Sequence, residues 1–115
     1  MPVKARRRYL ALKIESGENF SSKELMDALW GAILKLFGEY GASKTSLTLI
    51  GYHLEKRIAV IRAAYTEVEK IMAALASITK VGAKPAAIHV LKISGTLKAL
   101  YSKLGLRQTK RQVES

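Results

Sequence analysis

The sequence predicts an α+β fold in which four strands and two helices alternate in the order β-α-β-β-α-β, with a third helix at the carboxy end. Three observations predict it. Segments of period-two or β-branched character are interleaved with apolar stripes at helical spacing, capping signals stand before the stripes, and turn residues separate the segments. A chain of 115 residues that is 49% hydrophobic and 25% charged has globular composition and can bury one real core.

In residues 8–16, Leu10, Leu12 and Ile14 alternate with Tyr9, Ala11, Lys13 and Glu15, the pattern of a half-buried strand. Residues 16–19 break it. Ser21 and Glu24 then have capping-box spacing. Leu25, Leu29, Ile33 and Leu36 follow at helical spacing, with Met26, Trp30 and Phe37 widening the stripe. Gly38 or Gly41 can supply the backbone that ends this helix, predicted over about 22–37. Residues 45–53 and 57–64 read as the strands of a hairpin. Thr66 and Glu69 repeat the capping-box spacing before a second stripe of Val68, Ile71, Met72, Leu75 and Ile78, which Gly82, Ala83 and Pro85 interrupt. Residues 87–93 form a fourth strand, and Ser94-Gly95-Thr96 turns into a helix carrying Leu97, Leu100, Tyr101 and Leu104.

This order is the split β-α-β, ferredoxin-like arrangement, a four-stranded antiparallel sheet with two helices on one face. The domain is expected over residues 9–107, after a basic arm at 1–8 and before a disordered tail at 108–115. The second face is informative. Ile50 and Tyr52 are opposite in phase to Leu47 and Leu49, Ile61 to Ile58 and Val60, and Leu91 and Ile93 to Ile88 and Val90. Both faces of three strands are partly apolar, so the carboxy-terminal helix or a partner protein should cover the second.

The net charge of +11 is unevenly distributed. Residues 1–8 and 92–111 together hold ten basic groups and no acid, whereas residues 9–91 are only net +2. Basic flanks around a near-neutral middle predict a polyanionic partner, nucleic acid ahead of a membrane surface. The chain has no cysteine, so disulfides and Cys-type zinc sites are excluded and a reducing compartment is favoured. No signal-type apolar run follows the basic amino end, and the longest aliphatic stretch, 58–61, is far too short to span a bilayer. A soluble cytoplasmic protein is expected, with no membrane partner.

No catalytic constellation is legible. His53 and His89 are isolated, no nucleophile, histidine and acid share a known spacing, and no ligand pair stands at metal spacing. Glu24, Asp27, Glu67 and Glu69 open helices, where acids complement the dipole. No catalytic residue, metal or protein-bound cofactor is therefore expected. Base stacking in the manner of the RNA-recognition motif is also disfavoured, because RIAVIRAA has no aromatic before Tyr65 and the first strand offers only Tyr9. Tyr9, Tyr52 and Tyr101 read as core or interface residues.

Two basic features remain. Arg6, Arg7 and Arg8 run into the first strand, where arginine can pair with phosphate bidentately. Further on, Lys92, Ser94, Gly95, Thr96 and Lys98 surround a strand-to-helix turn whose amide groups suit an anion, with Lys103 beyond. Since the first strand is central and the fourth lies at an edge, these are expected as two separate phosphate-binding segments that need not be adjacent.

RRRYLALKIES, Gly41-Ala42-Ser43 leading to LTLIGYH, RIAVIRAA, ALASITKVG and above all VLKISGTLKAL resemble the small ribonuclease P/MRP protein subunits of archaea and eukaryotes, the Pop-five family. The likeness runs in order from about Arg7 to Lys103. It implies a ferredoxin-like, non-catalytic subunit of the ribonucleoprotein that removes 5′ leaders from precursor tRNA, a tRNA-processing endoribonuclease whose catalytic component is RNA and whose magnesium is bound by that RNA. It further implies ribonuclease P RNA as direct partner, precursor tRNA as indirect partner, and the TIM-barrel-type ribonuclease P protein component 3 as protein partner, with pairs of heterodimers able to associate. The long acidic tail of some relatives is missing here. On this reading Arg6, Arg7, Arg8, Lys92, Lys98 and Lys103 neutralise phosphates, and Leu29, Trp30 and Ile33, or the second sheet face, bind the partner protein. The rivals are another ferredoxin-like RNA-binding protein, such as a ribosomal one, and a metabolite-binding regulatory module, which would seldom concentrate basic charge at both ends.

Overall fold

The computed structural model describes residues 6–17 and 19–104; most of the predicted arm and the whole predicted tail lie outside the described residues. Along the chain come β1 (Arg7–Glu15), α1 (Ser22–Ser43), β2 (Thr48–His53), β3 (Ile58–Ala64), a 3-10 turn (Tyr65–Glu67), α2 (Val68–Ser77), a short ladder of β4 (Lys80–Val81) with β5 (Lys84–Pro85), β6 (Ala87–Ser94) and α3 (Leu97–Leu104). The four long strands form one sheet in the order β2-β3-β1-β6, each neighbouring pair antiparallel. This is the ferredoxin-like arrangement that the element order predicts.

The alternation of β1 decides which face is which. Leu10, Leu12 and Ile14 are buried with Leu25, Leu29 and Ile33 of α1 and Ile71 and Leu75 of α2. Truncating any one of these leucines or isoleucines to alanine costs about 2–5 kcal/mol. The box that starts α1 forms as read: the Glu24 amide donates to Ser21 Oγ at 3.2 Å, and the Ser21 amide donates to Glu24 Oε1 at 3.0 Å. Regular helix stops at Gly38, whose φ of 76° suits glycine. One further turn carries Gly41 and Ala42 back into the core. Gly41 is fixed by contact, since a Cβ there would lie 2.8 Å from the Phe37 Cβ.

The second capping box does not form. The Tyr65 amide is still committed to the Arg6 carbonyl at 2.8 Å across the sheet, so the chain passes through a 3-10 turn and α2 starts only at Val68. Thr66 Oγ1 donates to Glu67 Oε2 instead of capping a helix. Glu67 pairs with Lys70 at 2.9 Å, and that hydrogen bond holds its carboxyl below the usual carboxylate range.

Two β-bulges correct the period-two reading of the second face. In β2 the register skips Ile50, so Tyr52 pairs with Ala59 and joins the core under α1 and α2. In β6 it skips Leu91, so Ile93 pairs with Leu10 and Lys92 with Ala11. One extra residue thus moves Lys92 onto the second face, where strict alternation from Ile88 and Val90 would not put it. That face is covered by α3: Leu100 and Tyr101 are buried with Ala11, Ile58 and Val60, and Tyr9, Ile50, Leu97 and Leu104 pack around them. At the far end of the helix, Tyr101 Oη and His53 Nε2 are 3.2 Å apart. Burial lowers the His53 pKa and raises that of Tyr101, so both rings of the pair are held in their neutral forms. No helix among the described residues is long and apolar enough to cross a membrane.

Candidate nucleic-acid interface

The antiparallel pairing of β1 with β6 joins the two basic segments. Tyr9 stands opposite Ser94 and Ala11 opposite Lys92, so the chain enters the sheet beside the point where β6 leaves it. On β3, Arg62 pairs with Tyr9 and Ala64 with Arg7. The strand ends gathered there contribute Arg7, Arg8, Arg62 and Lys92 and no acidic residue. The two segments therefore form one basic end of the sheet rather than separate sites. The expectation that they need not be adjacent is corrected by strand order, because the edge strand β6 is the direct neighbour of β1.

Arg8 is held by contacts on several sides. Its guanidinium carbon lies 4.4 Å over the Tyr65 ring, and its Nη1 donates to the Arg7 carbonyl at 3.1 Å. On another side it meets Gly95, where a Cβ would sit 3.6 Å from Nη1. Alanine at residue 95 would just touch the guanidinium, and a larger side chain would displace it. Ring, carbonyl and glycine together hold the planar fork while leaving further N–H donors for a ligand. Next to it, the Ser94-Gly95-Thr96 turn is built from its own side chains. The Thr96 amide donates to Ser94 Oγ at 3.3 Å, and the Ala99 amide donates to Thr96 Oγ1 at 3.2 Å, so Thr96 caps α3.

Arg6, Arg7, Lys92, Gly95, Thr96 and Lys98 are exposed, while Arg8 and Ser94 are half-buried. None of Arg6, Arg7, Arg8, Lys92, Lys98 and Lys103 forms an ion pair with an acid among the described residues. Lys103 stands apart, because α3 runs toward the other end of the sheet, where Tyr101 meets His53. Among the described residues no three His, Cys, Asp or Glu side chains are grouped to hold a metal ion. His89 faces Glu15 at 3.1 Å in an exposed pair.

The model of the Rpp14/Pop5 family matches residues 8–104. The chain belongs to that family. Ribonuclease P protein component 2 of Pyrococcus furiosus is 31% identical to it over 101 residues, covering 88% of this chain and 84% of that protein. Component 2 of Methanocaldococcus jannaschii is 30% identical over 110 residues, with 95% and 81% covered. In structure the chain is similar to one in the cryo-EM structure of yeast ribonuclease MRP, with a TM-score of 0.66 and 12% identity over 91% of this chain and 95% of that one. At that identity the likeness speaks for the fold alone.

The Rpp14/Pop5 match spans both basic strands and α3, so the joined end described above lies almost wholly inside the family's own region. The apolar residues expected at a protein interface fare differently. Leu29 and Ile33 are fully buried in the core and offer a partner no surface, whereas Trp30 remains half-exposed. The sequence pattern marked the helix stripe without telling which of its residues the sheet would consume. The exposed apolar side chains on the outer helices are Leu34, Leu36, Tyr40 and Met72. Sequence reasoning also missed Arg62 and Tyr65. Only the register reveals that they stand beside Tyr9 and Arg8.

Proposed function

We propose that this chain is an RNA-binding protein subunit of ribonuclease P, one that supports the catalytic RNA in removing 5′ leaders from precursor tRNA and does no chemistry itself. The observation that carries the reading is the pairing of Tyr9 with Ser94, which gathers Arg6, Arg7, Arg8, Lys92 and Lys98 at one end of the sheet with no acidic partner among the described residues. Membership of the Rpp14/Pop5 family, and relatives named as ribonuclease P protein component 2, support the same assignment. Phosphate contacts position such a protein on its RNA and account for most of the affinity. Magnesium belongs to the partner RNA, and the setting is cytoplasmic.

The protein partner on this reading is ribonuclease P protein component 3, and two such heterodimers can associate. With Leu29 and Ile33 committed to the core, the surface left for it is the outer side of α1 and α2 around Trp30, Leu34, Leu36 and Met72. Reconstitution tests the reading. Adding this protein with component 3 to ribonuclease P RNA should raise precursor-tRNA cleavage at low magnesium, and no stimulation would contradict the assignment. If about six phosphates are neutralised, RNA affinity falls about 10³-fold between 50 and 200 mM salt; a flat salt dependence would contradict the electrostatic part.

A further inference from the structure

We propose that Arg62 is a phosphate-binding residue for the RNA, at the centre of a line of donors that crosses the sheet. The inference rests on the RNA-binding reading and goes beyond it by rooting a contact in the central strand β3, away from the basic chain ends. Cross-strand pairing sets Thr48, Arg62, Tyr9 and Ser94 side by side on β2, β3, β1 and β6. Each of the four side chains carries an N–H or O–H donor, and none is acidic. One step further in, Val60 and Ala11 are buried with Leu100 of α3. The line thus lies at the margin of that helix rather than beneath it, with Arg7 and Lys92 in the flanking positions of the same face.

The guanidinium itself asks for an outside partner. Arg62 Nε is sealed from solvent and has no hydrogen-bond partner among the described residues, and no described acid pairs with the side chain. A desolvated charged donor left unpaired is expensive, and an apolar residue like the neighbouring Val60 would serve the fold better. The side chain as a whole is only half-buried, so part of it remains open to a ligand. A phosphodiester fits this setting because a planar fork pairs with two of its oxygens while neighbouring hydroxyls donate to the same group. Arg7, Arg8 and Lys92 add the positive field that draws a polyanion to this end.

The test uses the full chain, transcribed ribonuclease P RNA as probe, and the substitutions Arg62→Met and Arg62→Lys. Arg62→Met should melt at or above the temperature of the unaltered chain, because an unpaired desolvated donor is removed. It should nevertheless bind RNA about 10-fold or more weakly, with the salt slope reduced by about one. Arg62→Lys should keep the slope but bind several-fold more weakly, since an ammonium cannot fork. Unchanged affinity and slope in Arg62→Met would overturn the proposal and leave the RNA reading intact. So would a large fall in melting temperature matched by the loss of binding, or loss of component 3 binding with RNA binding retained. Failure of the unaltered chain to bind RNA would overturn the RNA reading itself.

Discussion

The two ends of the sheet treat charge in opposite ways. Where β1 finishes and β6 begins, charges are spent locally. Glu15 faces His89, Glu24 lies 3.9 Å from Lys84, Lys84 donates to the Asn19 carbonyl and Lys13 to that of Lys56. Where β1 begins and β6 finishes, Arg6, Arg7, Arg8, Lys92 and Lys98 find no acid among the described residues, and Arg8 meets the Arg7 carbonyl and the Tyr65 ring instead. Arg6, Arg7, Arg8, Arg62, Lys92 and Lys98 thus leave a local excess of positive charge at one end of the described sheet. An excess confined to a few strand ends attracts a polyanion in a fixed orientation, which a uniformly basic surface does not.

The largest effect should come from reversing charge at the open end. Arg7→Glu together with Lys98→Glu should weaken RNA binding by about 100-fold or more, since each lost charge-assisted contact is worth about 1.5–3 kcal/mol. Both side chains are exposed, so the melting temperature should stay within a few degrees. The same reversal at Lys23, an exposed residue near the other end, should change RNA affinity only a few-fold; equal losses at both sites, measured in one titration series, would erase the distinction between the ends.

A smaller effect concerns the helix that closes the second face. The His53 pKa is lowered first by burial and then by Lys56, so the folded chain resists a proton that the unfolded chain accepts near pH 6.5. Stability is full above that range and falls as the pH drops through it, because the buried imidazole beside Lys56 disfavours the added charge in the folded chain. Thermal melts between pH 7.5 and 5.5 should show this loss, and His53→Gln should flatten it. A pH dependence that survives the substitution would assign it to another group.

The smallest effect belongs to the paired end. Glu15→Gln removes an exposed partner of His89 and should cost at most about 1 kcal/mol, read by denaturant unfolding, with RNA affinity changed less than twofold.

What could be read from the sequence was local. The box at Ser21 and Glu24, the helix end at Gly38 or Gly41, the turn at Ser94-Gly95-Thr96 and the order of elements each depend on neighbours within a few residues. What escaped it depends on the facing strand. The bulges at Ile50 and Leu91 reverse the phase of Tyr52, Lys92 and Ile93, and no single-strand alternation reports them. Thr66 had the right spacing for a cap, yet the sheet bond from Tyr65 to Arg6 kept the chain out of helical geometry. The basic ends were plain in composition, but their meeting required the pairing of Tyr9 with Ser94. Arg62 belonged to no basic run and became conspicuous only once Tyr9 stood beside it.

The most direct test of that meeting is an NMR titration of the isotope-labelled chain with a short fragment of ribonuclease P RNA, followed through its backbone amides. Residues 6–9, 62–65 and 92–98 should shift together along a single binding curve, while residues 13–16, 53–57 and 84–89 stay in place. Two groups of shifts with different affinities, or shifts centred on the paired end, would contradict the account.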